Sequence, residues 1–127
     1  MNFEKTTFAF FIVLALTLNF GFFIGDIDNP SHHDAMELAA ALVVSIIATI
    51  LKLGDRSSMG ATFLATSLVA DLQLLLAAIF WGWALFVTTE GVTPEVVARV
   101  VSLSGGALLA NLVSVTLLVA ETIIYRR

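Results

Sequence analysis

Long apolar runs dominate this chain and leave it few ways to fold. They cover roughly residues 6–25, 35–53, 59–88 and 95–125 and are separated by short polar breaks. Each is long enough to cross a bilayer as a helix, which takes about 20 residues. In hydrocarbon a helix satisfies its backbone hydrogen bonds internally, so the reading is all-α. The breaks carry helix signals. Asn29-Pro30 marks a turn, with Ser31 or Asp34 available to cap the second helix. Gly54 to Ser58 is a tight polar turn with serine caps. Thr93-Pro94-Glu95 combines a Thr cap, Pro at the first helical position and an acid at the positive end of the dipole. Connections this short predict an antiparallel four-helix bundle forming one domain over residues 1–127.

Composition agrees. Of 127 residues 59% are apolar and 13% charged, against about 25% charged in a soluble domain. Cysteine is absent, which removes disulfides, thiol chemistry and Cys-ligated metal. With a net charge of −4 and no basic patch, nucleic acid is not an expected partner. Phe8 to Ile24 stays bulky up to the poor cleavage site Gly25-Asp26-Ile27-Asp28, so it reads as a retained first helix, not a signal peptide.

Basic residues set the expected orientation. Lys5, Lys52, Arg56, Arg126 and Arg127 fall on one side and only Arg99 on the other, placing both termini in the cytoplasm. The outer side then holds an acidic mouth of Asp26, Asp28, Asp34 and Glu37, with Glu90 and Glu95. Trp81 and Trp83 near the outer end, and Tyr125 at the inner one, suit the interfaces. The last two spans approach 45 Å at 1.5 Å per residue, so they must tilt, protrude or break. Ser104-Gly105-Gly106 is the expected place for a break or for close backbone packing.

Asp71 stands out as a lone carboxylate mid-way along the third span. Charge at membrane depth costs roughly 3 kcal/mol on insertion scales and marks an ion pathway or a buried polar contact. Ser67 lies four residues earlier, and Asn19, Ser45 and Asn111 fall at comparable depth in the other spans. The stripes Ser104, Ala107, Asn111, Ser114, Leu118, Glu121 and Glu37, Ala41, Ser45, Ala48, Lys52 recur at threes and fours. Thr17, Gly21 and Gly25 form a small-residue edge read as a packing seam. Ion pairs are expected between Lys52 and Glu121, and between Glu37 and Arg99.

The loop from Asp26 to Asp34 holds three acids with His32 and His33, yet no recognised ligand spacing, and reads as a solvated acidic loop. No phosphate-cradling loop, HExxH or GxSxG occurs, so neither catalysis nor a cofactor is expected.

The stretches NFGFFIGDIDNPSHH (19–33), LKLGDR (51–56) and TSLVADLQL (66–74) resemble a bacterial family of small four-helix inner-membrane proteins known only as a domain of unknown function. The resemblance covers nearly the whole chain. It implies four helices in the bacterial inner membrane and transfers no catalytic role.

The expected function is a homo-oligomeric channel or transporter for a monovalent or divalent cation. Its polar site is Asp71 with Ser67, Asn19, Asn111 and Ser45. The alternative is an accessory or assembly subunit of a larger membrane protein, with the polar layer purely structural.

Overall fold

The computed structural model describes residues 3–25 and 29–124. Its main elements are α1 (Phe3–Phe23), α2 (Ala35–Lys52), α3 (Ser58–Phe86) and α4 (Pro94–Ile124), with a 3₁₀ turn at Pro30–His32. All four α-helices are long and apolar enough to cross a membrane.

The helix starts reflect local chemistry. Asp34 caps α2 by accepting the Met36 N–H at 2.9 Å, so this acid of the expected mouth has a structural task. Ser57 caps α3 through the Gly60 N–H at 2.9 Å. Thr93 accepts from the Val96 N–H at 3.2 Å at the head of α4. Asp26, Asp28, Tyr125, Arg126 and Arg127 lie outside the described residues.

The helices close a ring in which α1 packs on α2, α2 on α3, α3 on α4 and α4 on α1. Inside it are two apolar clusters. Phe8, Ile12, Ala48, Phe63 and Leu118 form the smaller. Phe22, Leu38, Leu74, Ala77 and Val97 belong to the larger. The Phe8 and Phe63 rings meet edge to face at 5.1 Å, a contact worth about 0.5–1.5 kcal/mol beyond its burial. On every helix a small polar residue falls between the two clusters: Asn19, Ser45, Ser67, and Asn111 with Ser114, all buried.

Helix α4 runs unbroken through Ser104-Gly105-Gly106. A Cβ on Gly105 would stand 2.8 Å from the Phe23 ring, and one on Gly106 2.6 Å from the Gln73 amide, so this pair serves close packing. Gly21 admits the Glu37 carboxylate against α1. Gly25 takes φ +116° in the turn after α1, where glycine is favoured, and is not part of a helical seam.

The ion pairs differ from expectation. Glu121 meets Lys5 at 3.6 Å and Lys52 meets Asp55 at 3.6 Å. Lys52 reaches its own turn, and its ammonium also lies 4.3 Å from the Phe8 ring centroid, so α1 takes Glu121 instead. Glu37 turns toward Gly21, away from a pairing with Arg99, which is exposed.

Candidate functional site

Asp71 sits near the middle of α3, at the seam with α2, and keeps part of its surface exposed. The Ser45 hydroxyl donates to Oδ1 at 2.6 Å and the Thr49 hydroxyl to Oδ2 at 2.5 Å. Ser45 and Thr49 are one helical turn apart on α2 and both buried, so they present two donors side by side. Thr49 Oγ1 also lies 3.0 Å from the Ser45 carbonyl. A hydroxyl has one proton to give. Thr49 can therefore serve the carboxylate or its own helix, and turning to the carbonyl frees a lone pair on Asp71 Oδ2 while Ser45 still holds Oδ1.

The other polar residues at this depth go elsewhere. Asn19 joins α1 to α4. In the orientation that satisfies both ends of its amide, Nδ2 donates to Ser104 Oγ at 2.5 Å and Oδ1 accepts from the Leu108 N–H at 3.0 Å. Thr66 and Ser114 join α3 to α4 with their hydroxyls 2.5 Å apart. Ser67 Oγ and Gln73 Oε1 are buried with no hydrogen-bond partner among the described residues. Four residues along an α-helix amount to about 400°, so Ser67 lies roughly 40° round from Asp71. That offset turns Ser67 into the core and Asp71 toward α2. Asn111 is buried on α4.

Of the expected polar layer, the structure thus joins Asp71 to Ser45. It adds Thr49 and Thr66, which are not among the residues expected from the sequence. The signal for Thr49 was its four-residue spacing from Ser45. For Thr66 there was none, because its partner Ser114 lies 48 residues away.

At the helix termini, His33 is buried with Nδ1 donating to the Phe22 carbonyl at 2.5 Å, while His32 is exposed. The neighbouring histidines diverge, and among the described residues no three His, Cys, Asp or Glu side chains form a metal-sized group. At the other end an open cleft of about 1000 Å³ is lined by Lys5, Lys52, Asp55 and Glu121, with Phe3 and Met59. Those four charges pair among themselves. The Ser57 hydroxyl and backbone N–H, with a smaller contribution from Lys52, hold the Asp55 carboxyl below its ordinary range.

A family model described as a family of unknown function, DUF6394, matches residues 32–122. The chain belongs to DUF6394. No curated protein and no solved structure matches it. The part matched to DUF6394 takes in α2, α3 and most of α4, and so contains Ser45, Thr49 and Asp71; Asn19 lies outside it.

Proposed function

We propose that this DUF6394 chain is a multi-pass protein of the bacterial inner membrane that works as a homo-oligomeric cation channel or transporter. Its helices run antiparallel, with both termini cytoplasmic. The opposed pairings of α1 with α4, Lys5 to Glu121 and Asn19 to Ser104, support the antiparallel reading. The excess of Lys and Arg at one end supports the orientation.

The observation that carries the transport reading is the Asp71 carboxylate held by two hydroxyls, one of which, Thr49, has a second acceptor to turn to. Its negative charge and neutral hydroxyl oxygens suit one proton or one monovalent cation. A divalent ion would leave net positive charge at membrane depth, where charge is costly. The cycle is then simple. The cation or proton reaches the carboxylate, Thr49 rotates to the Ser45 carbonyl, and neutralisation lowers the cost of a charge in low dielectric.

Flux of H⁺, Na⁺ and K⁺ into liposomes holding the purified protein tests this, wild type beside Asp71→Asn. Expected is flux in the wild type, lost at least tenfold in the variant with unchanged oligomer size. A well-reconstituted wild type that passes none of the three rejects transport. The accessory-subunit reading would then stand. Its support is the pairing of Asn19 with Ser104 and of Thr66 with Ser114, contacts that join helices and need no ion.

A further inference from the structure

We infer that the cation path lies between two copies of this chain, across the α2–α3 seam, and not through the bundle. The inference rests on the reading of Asp71 as a cation site at membrane depth. Two observations lead to it. Along the bundle axis the polar level is closed on both sides, by Phe8, Ile12 and Phe63 in one direction and by Phe22 and Leu74 in the other, each almost fully buried. Asp71, in contrast, is partly exposed.

Around that opening the surface is apolar. Ile46 on α2 is 41% exposed, and Leu68 and Leu75 on α3 are 51% and 46% exposed. On α3 these leucines fall about 60° and 40° round from Asp71, on the side away from Ser67. Acyl chains can cover the leucines but offer nothing to a carboxylate. A second copy can. In a twofold dimer the same seam meets itself, apolar rim on apolar rim, with Asp71 facing its counterpart. Two facing carboxylates cannot both stay charged and unpaired, so the pair draws in one proton or monovalent cation between them and a second neutralises it. The partner copy thereby completes the site, and the ion moves along the interface past the two Asp71 carboxylates, each held from inside its own chain by Ser45 and Thr49.

The chain has no cysteine, so single cysteines report on this directly. Leu68→Cys and Leu75→Cys are placed on the seam. Val13→Cys on α1 and Leu109→Cys on α4, exposed positions on the other helices, serve as controls. Oxidative cross-linking in native membranes should give a disulfide dimer at the seam positions at least tenfold above the controls. Monomer at all four positions, equal cross-linking at all four, or a dimer confined to Val13 or Leu109 overturns the interface. Flux separates this result from the parent reading. A seam dimer without flux keeps the interface and rejects transport. Flux retained without a seam dimer keeps transport and rejects the path between copies.

Discussion

Taking away the Ser45 hydroxyl leaves Asp71 with Thr49 as its hydrogen-bond donor from α2. Ser45→Ala should therefore destabilise the bundle by about 1 kcal/mol, the scale of one lost hydrogen bond with its partner left partly unsatisfied. Ser67→Ala removes a buried hydroxyl with no partner among the described residues, and should be neutral within about 0.5 kcal/mol or stabilising. Unfolding of both variants in mixed micelles checks the contrast; equal losses would deny the two serines different roles. Composition and spacing alone rank these serines alike, since both lie on the polar faces of their helices. Only the rotation of α3 against α2 separates them. Asp55 offers a titration outside the spans. Its carboxyl is held below 3.8, chiefly by Ser57, so this stabilisation is present above pH 3.8 and is lost as pH falls through the lower folded value. Carboxyl ¹³C shifts should show that depressed value in the wild type, and a return toward 3.8 in Ser57→Ala.

Glycines show how the helices make use of missing side chains. Gly105→Ala drives a methyl to 2.8 Å from the Phe23 ring and should cost about 1–3 kcal/mol, as overpacking does. Gly82 on α3 has nothing within 4 Å of such a methyl, and Gly82→Ala should be neutral or stabilising by up to about 1 kcal/mol through helix propensity. Thermal melts of the two variants in one detergent decide this; a costly Gly82→Ala would mean that face is occupied. The existence and length of the helices were legible in the runs of apolar residues, because hydrocarbon-length segments have one backbone solution. The α3 expectation of 59–88 and the observed Ser58–Phe86 differ by a residue or two at either end. The fate of Ser104-Gly105-Gly106 was open, because a glycine pair suits a break as well as a close approach. Phe23 and Gln73, brought in from α1 and α3, settle it as packing.

For the whole molecule, the distribution of Lys and Arg predicts which termini meet which compartment. In this cysteine-free chain, Ser31→Cys and Thr93→Cys should react with an impermeant maleimide on intact spheroplasts. Ser57→Cys should react only after lysis. The reverse pattern would invert the topology and place the Lys52 end outside. The apolar runs, the caps and the charge asymmetry are properties of local stretches, so the sequence by itself determined four membrane-length helices, where they start, and the place of Asp71 midway along the third. Which side chains meet depends on how each helix is turned about its axis against its neighbours. Short-range spacing does not encode those rotations. Tertiary structure alone decided that Asp71 is held by Ser45 and Thr49, that Asn19 and Thr66 lock other pairs of helices, and that Lys52 and Glu121 take different partners. The physical reason is that an unpaired polar group in an apolar interior costs more than any local preference. Each helix therefore settles where most of its polar residues find donors or acceptors on a neighbour, with the Ser67 hydroxyl left out on α3.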